Sequence, residues 1–225
     1  MWHVLIGYIC SIMTKESNQR TDWMETGTEL PIMEDFYSIQ GEGAHTGVAS
    51  YFIRIGGCDV GCHWCDVKES WNAEIHPLIG IKEVVDRAIS QVARTVILTG
   101  GEPLKYELGP LTDVLKMNGF SVHLETSGAY GLSGSFQWVC LSPKKTAPPL
   151  PEMYKVANEL KVIIHNRKDL EWAISQAEQV GPDCLLYLQP EWGRRNEVMP
   201  MIIDHVKEDP NWRISLQSHK YMRIP

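Results

Sequence analysis

The chain has 225 residues, 44% hydrophobic and 22% charged, ordinary globular proportions that exclude a disordered, collagenous or coiled-coil protein and leave room for a sizeable core. Its formal net charge is −7, with no extended block of Lys or Arg, so no phosphate-tracking surface is expected and nucleic acid is set aside as a direct partner. Six cysteines are too sparse for a disulfide scaffold.

Residues 1–13 (MWHVLIGYICSIM) lack a basic leading region and a clear cleavage site, and are too short to span a bilayer. A cytoplasmic protein with no membrane partner is therefore expected. Residues 14–30 are polar and weakly patterned, so 1–30 read as a flexible N-terminal extension, with Met24 and Met33 as alternative starts. One domain is expected over 31–225. Within it, apolar runs predict strands at 50–55 (SYFIRI), 95–99, 121–125, 138–141, 160–164, 184–188 and 213–216. Most are continuous rather than alternating, as in strands covered on both faces of a parallel sheet. Amphipathic spacing predicts helices at 81–92, 108–117, 170–180 and 196–206, and the proline-rich 147–151 (APPLP) reads as a loop. Strands alternating with helices imply right-handed βα units. Six or seven strands are too few for an eight-stranded barrel, leaving a partial α/β barrel or an open doubly wound sheet.

In either architecture ligands bind at the carboxyl ends of the strands. The conspicuous polar motifs fall there: Gly100-Gly101-Glu102-Pro103, Thr126-Ser127-Gly128, Ser142-Pro143-Lys144 and Gln189-Pro190. After 50–55 comes Cys58-x3-Cys62-x2-Cys65, on a loop with Gly56, Gly57 and Gly61, while Cys10, Cys140 and Cys184 stand apart. An odd cluster cannot pair off internally and reads as metal ligation in a reducing compartment. Three readings compete: a 4Fe–4S cluster with one iron left open, a zinc site needing a fourth ligand, and thiols met by chance.

This cysteine spacing, followed by Gly-Gly-Glu-Pro after the next strand, resembles the radical S-adenosylmethionine (SAM) superfamily. The resemblance implies a single-domain partial (β/α) barrel whose open iron binds SAM, and a 5′-deoxyadenosyl radical that takes a substrate hydrogen. It also implies that Glu102 and the Gly100–Pro103 backbone meet the SAM amino group. From about Pro31 to Pro225 the chain is similar to one family, 7-carboxy-7-deazaguanine synthase of queuosine biosynthesis, a tRNA modification pathway. The residues that carry it are Phe36-Tyr37-Ser38-Ile39-Gln40-Gly41-Glu42-Gly43, Phe52-Ile53-Arg54, Cys65-Asp66, Leu124-Glu125-Thr126-Ser127-Gly128, Ser142-Pro143-Lys144 and the terminal Ser218-His219-Lys220-Tyr221-Met222-Arg223-Ile224-Pro225.

That resemblance implies a carbon–nitrogen lyase acting on 6-carboxy-5,6,7,8-tetrahydropterin, a homodimer, and an electron donor such as flavodoxin or ferredoxin. Position by position, Cys58, Cys62 and Cys65 would hold the cluster. Gly101, Ser142, Pro143, Lys144, Gln189, Pro190, Glu191 and Trp192 would bind SAM. Ile39, Gln40, Gly41, Arg54, Thr99 and Pro225 would bind substrate, with Arg54 gripping its carboxylate. Glu125 would contact substrate or a cation, and His123 reads as a core or supporting histidine. In one place the chain departs from the family. A threonine usually follows the third cysteine and aspartate and helps bind Mg²⁺, whereas this chain has Val67. Either Mg²⁺ binds through other oxygens, with Asp66 and Ser70 nearby, or the enzyme depends on it less. The rivals are a glycyl-radical activase of the same superfamily and a non-catalytic zinc-binding module.

Overall fold

The computed structural model describes residues 26–225; residues 1–25 of the expected extension, Met24 included, lie outside the described residues. Strands β1 (Glu29–Ile39) and β2 (Ala49–Ile55) form an antiparallel hairpin, and β3 (Leu78–Gly80) pairs with the far edge of β1. Helices and strands then alternate as α1 (Ile81–Ile89), β4 (Thr95–Gly100), α2 (Gly109–Met117), β5 (Ser121–Thr126), β6 (Trp138–Leu141), α3 (Pro151–Val156), β7 (Glu159–Ile164), α4 (Arg167–Ala177), β8 (Leu185–Pro190), α5 (Arg195–Glu208), β9 (Trp212–Ile214) and α6 (Ser218–Met222). One nine-stranded sheet results, in the order β3-β1-β2-β4-β5-β6-β7-β8-β9. Strand β2 and strands β4 to β9 are parallel neighbours. The two end strands do not pair with each other. The sheet is therefore the expected partial barrel, not a closed one.

Period-two alternation sorts each strand's side chains. One set, including Ile53, Ile55, Val96, Leu98, Val122, Leu124, Leu160, Val162 and Leu188, is buried in the core shared with α1, α2, α4 and α5. Burying each such side chain stabilises the fold by about 1.5–3 kcal/mol. The alternate set, Phe52, Arg54, Ile97, Thr99, Glu125, Lys161, Ile163 and Gln189, lines a cavity on the other face. Apolar packing thus fixes the sheet, and its register aims the polar residues at one place.

The loop 40–48 between β1 and β2 enters the lumen near the amino ends of β5 to β7. Ala44 N–H donates to Glu159 Oε2 at 3.0 Å, and Gly43 N–H donates to Ser215 Oγ at 2.9 Å. The His45 ring packs on His123 and Trp138 with centroids 4.5 and 4.6 Å away. This plug replaces the side chains that missing strands would have contributed.

Several element boundaries differ from the sequence expectation. The domain starts before residue 31: Glu29 and Leu30 belong to β1, and Leu30 is fully buried. Strands β1 and β3 were not expected, because β1 turns polar after Met33 and forms only half-buried antiparallel contacts. Helix α1 ends at Ile89, leaving Val92 exposed beyond it. Helix α4 begins at Arg167 because Asn166 and Asp169 form a capping box. The expected loop at 147–151 ends on Pro151, the first residue of α3, where a fixed φ suits a helix start. Among the described residues, no helix is long and apolar enough to cross a membrane.

Candidate active site

The carboxyl ends of the strands open into a cavity of about 460 Å³, within the usual range for a small-molecule site. Its wall includes Cys58, Cys62 and Cys65, then Gly101, Ser142, Lys144, Gln189, Pro190, Glu191 and Trp192, and also Ile39, Gln40, Gly41, Arg54, Thr99, Glu125 and Pro225. Of the residues expected at the site, Glu102, Pro103 and Pro143 are buried outside this wall, and the others share it.

The cysteine loop is held by backbone. Gly57 N–H donates to Ser70 O at 2.6 Å, Cys58 N–H to Trp71 O at 3.1 Å, and Glu102 N–H to Gly57 O at 3.0 Å. Gly57 has φ +100°, and a Cβ there would meet the Tyr106 hydroxyl at 2.1 Å. A Cβ on Gly101 would come within 2.4 Å of Gly57 O. The loop after β4 thus packs main chain on main chain against the cysteine loop, and only glycine permits it.

Glu102 does not face the cavity. It is 1% exposed, and its carboxylate accepts from Thr126 Oγ1 at 2.6 Å, Ser127 N–H at 2.8 Å, the Ser127 hydroxyl and Leu104 N–H at 3.1 Å. This corrects the expectation that its side chain meets SAM. Glu102 instead ties the loop after β4 to the loop after β5 and so sets the positions of Gly100, Gly101, Thr126 and Ser127 in the wall.

Arg54 is ion-paired on one side and faces the cavity on the other. Its Nε donates to Glu34 Oε1 at 2.6 Å across the β1–β2 pair, while the side chain, 20% exposed, lines the cavity. Among the described residues no other partner takes its terminal amino groups, so they remain able to accept an anion. Lys144 Nζ donates to Ser142 Oγ at 2.8 Å and to the Ser142 carbonyl. The Gln189 carboxamide accepts from Ser215 Oγ at 2.6 Å, and the Glu191 carboxylate caps the turn that follows, accepting from Gly193 and Arg194 N–H at 2.9 and 3.0 Å. That segment therefore offers a ligand main chain and the Trp192 ring, which Arg195 covers at 4.2 Å.

Deeper in the lumen lie Glu42, Lys161 and Gln217, to which sequence reasoning gave no role. Lys161 bridges Glu42 Oε2 at 2.7 Å and Glu125 Oε2 at 2.8 Å, with Gln40 and Gln217 attached to the two carboxylates. Burial works to raise the Glu42 pKa, but the Lys161 ammonium and hydrogen bonds from Lys161, Gln217 and Gln189 override it and hold it at about 2. Lys161 could have been noticed as a single charge inside the apolar run 160–164. His219 also lines the wall. His123 stays out of it, and burial, with His45 beside it, lowers its pKa to about 4. It is the supporting histidine expected.

A model of the radical SAM superfamily matches residues 52–131, the stretch that carries the cysteine loop and the Gly-Gly-Glu-Pro turn. The 7-carboxy-7-deazaguanine synthase of Flavobacterium psychrophilum is 54% identical over 202 residues, covering 90% of this chain and 96% of that protein. That of Synechocystis sp. is 47% identical over 195 residues, covering 86% and 93%. The crystal structure of QueE from Escherichia coli superimposes with a TM-score of 0.75 at 32% identity, over 88% of this chain and 97% of that one. The chain belongs to the 7-carboxy-7-deazaguanine synthase family.

Membership of this radical SAM family implies a 4Fe–4S cluster and SAM. The cysteine loop fits the cluster: three free, half-buried thiols share one wall on a glycine-permitted turn. Among the described residues no three His, Cys, Asp or Glu converge tightly enough to chelate a single ion, which counts against the zinc module. A cluster, in which each thiolate takes its own iron, has no such requirement. The family also sets aside the glycyl-radical activase.

Proposed function

We propose that this chain converts 6-carboxy-5,6,7,8-tetrahydropterin to 7-carboxy-7-deazaguanine with release of ammonia, as a cytoplasmic homodimer supplied with electrons by a flavodoxin or ferredoxin. The observation that carries the reading is the gathering of the family's matched residues around one cavity, in a chain 54% identical to a protein of that name. A 4Fe–4S cluster held by Cys58, Cys62 and Cys65, with SAM bound beside it, would supply the one-electron chemistry that starts the ring contraction.

The chain's own residues divide the remaining work. Cys58, Cys62 and Cys65 hold the cluster. Gly101, Ser142, Lys144 and the segment Gln189, Pro190, Glu191 and Trp192 line the SAM end, with Pro143 buttressing Ser142 and Lys144 from behind. Arg54, with Glu34 fixing one edge of its guanidinium, presents the other edge to the substrate carboxylate. Ile39, Gln40, Gly41, Thr99 and Glu125 offer donors and acceptors to the heterocycle. Pro225, whose carbonyl accepts from Ser38 Oγ at 3.2 Å, closes the chamber against water.

Mg²⁺ does not fit the oxygens beside the cysteine loop. Val67 supplies no side-chain oxygen, the Asp66 carboxylate is ion-paired to Lys220 at 2.8 Å, and the Ser70 hydroxyl donates to Val67 O at 2.6 Å. Turnover independent of added Mg²⁺ is the expectation.

The test is anaerobic reconstitution with iron and sulfide, then SAM, a reductant and the carboxy-tetrahydropterin, with Mg²⁺ or with a chelator, and mass spectrometry of the products. Carboxy-deazaguanine at equal rates in both arms is expected. SAM cleavage with untouched pterin would overturn the substrate, and a rate that collapses in the chelator arm would overturn metal independence.

A further inference from the structure

Lys161 sits in the middle of β7, 4% exposed, where a lone ammonium would be costly. It is retained because two carboxylates from different elements meet it, Glu42 from the β1–β2 loop at 2.7 Å and Glu125 from β5 at 2.8 Å. Without it these two would repel across the same small space. The network continues outward on both sides. Gln217 Nε2 donates to Glu42 Oε1 at 3.0 Å, and Gln40 Nε2 donates to Glu125 Oε1 at 3.1 Å, while Gln40 Oε1 accepts from Glu42 N–H at 3.1 Å. All five of these residues line the cavity.

We propose that Lys161 is a positioning residue for substrate recognition: its ammonium bridges Glu42 and Glu125 and, through Glu125, fixes which end of the Gln40 amide faces the ligand. The proposal rests on the substrate reading above and deepens it. A carboxamide alone is ambiguous, since its oxygen and nitrogen ends exchange by a simple flip. An ionised carboxylate accepts and cannot donate, so Glu125 takes the NH₂ end and leaves the oxygen end for Glu42 N–H. With about four lone-pair sites on each carboxylate, both keep acceptor capacity beyond their protein bonds. The wall is therefore set for a heterocycle edge rich in N–H donors.

The groups facing Lys161 are Cys140 on β6, Glu125 on β5, Glu42 on the plug loop and Glu159 on β7, with Lys144 and His219 beyond them. Burial alone would lower its pKa, but these acidic neighbours raise it well above the ordinary value. The ammonium is thus present across the working pH range.

The experiment compares Lys161→Met with wild type for folding, SAM affinity, and the pH profile of kcat/KM for the pterin. Expected is a rise in KM on the order of 10- to 100-fold, as for loss of one partner of a buried charge pair, with SAM affinity unchanged. The variant's kcat/KM should fall as pH rises through neutrality, because its two carboxylates share a proton only at lower pH, while wild type stays flat. Adding Glu42→Gln to Lys161→Met removes the excess charge and should flatten the profile again. A Lys161→Met enzyme with wild-type KM and a flat profile would overturn the proposal, as would equal losses of pterin and SAM affinity. Should Lys161→Met fail to fold, Glu42→Gln alone is expected to raise KM severalfold without touching SAM affinity, and an unchanged KM would overturn it. Wild-type turnover is the separate control: its absence sinks the substrate reading itself, whereas normal wild-type turnover with an unaffected variant sinks only the role of Lys161.

Discussion

The loop 58–65 and the lumen cluster of Glu42, Glu125 and Lys161 face the same cavity but satisfy their polar groups in opposite ways. The cysteine loop spends its backbone hydrogen bonds on neighbouring main chain and leaves three half-buried thiols outside any disulfide, facing the cavity. The lumen cluster pairs every charge internally before any ligand arrives. A site that must take up an inorganic centre keeps its ligands free, because the ligands are completed by the metal. A site that must recognise an organic ring fixes its donors and acceptors in advance, so that little ordering remains at binding. The two walls therefore fail differently when disturbed.

The largest effect should come from the open wall. Cys62→Ala removes one iron ligand without removing any packing, so the variant should fold with native thermal stability yet hold little iron and lose at least about a thousandfold in turnover. Iron content, the melting curve and product formation check this together. An active variant with full iron would mean that the cluster is held elsewhere.

Glu102 joins the two walls and should behave as neither. Replacing it by Ala leaves two hydroxyls and two backbone N–H groups buried without an acceptor, at a cost of about 3 kcal/mol or more. The expected result is a melting temperature lower by about 6–12 °C together with weakened SAM affinity, because Gly100 and Gly101 lose their support. Native stability with lost SAM affinity would restore the expectation that Glu102 touches the cofactor.

The smallest effect lies beneath the lumen cluster, at His123. Burial, with His45 beside it, holds this ring neutral down to about pH 4, whereas the unfolded chain takes up the proton near 6.5. The unfolded state then binds more protons as acid is added. Stability is complete above about pH 6.5 and declines toward pH 4, by up to about 3 kcal/mol. His123→Phe should flatten that part of the melting temperature against pH while leaving turnover at neutral pH nearly unchanged. A slope identical to wild type would show that other groups carry the acid sensitivity.

The same contrast explains what could be read from the residues alone. The cysteine loop and the Gly-Gly-Glu-Pro turn are local, contiguous and chemically unusual, so their role was legible. The parallel strands were legible too, because burial on both faces makes each a continuous apolar run. Strand β1 was not, since its half-exposed antiparallel pairing needs no such run and its partner lies across the nine-residue loop 40–48, whose fate is decided by the lumen. The Glu42–Lys161–Glu125 cluster joins positions up to 119 residues apart, and no spacing rule connects them. Glu102 was misjudged for a related reason: the motif fixes where its backbone goes, but Thr126 and Ser127 decide where its carboxylate points.

The plug loop has a consequence for how this sequence can vary. Loops joining strands are ordinarily where insertions and deletions are tolerated. Here Gln40 and Gly41 line the chamber, and Gly43, Ala44 and His45, a few residues on, are fastened to Ser215, Glu159, His123 and Trp138. One added residue would have to displace either the recognition edge or the stopper below it. The β1–β2 connection is thus length-locked, as intolerant of an indel as the strands it joins, and a library that randomises it should vary side chains and keep its residue count.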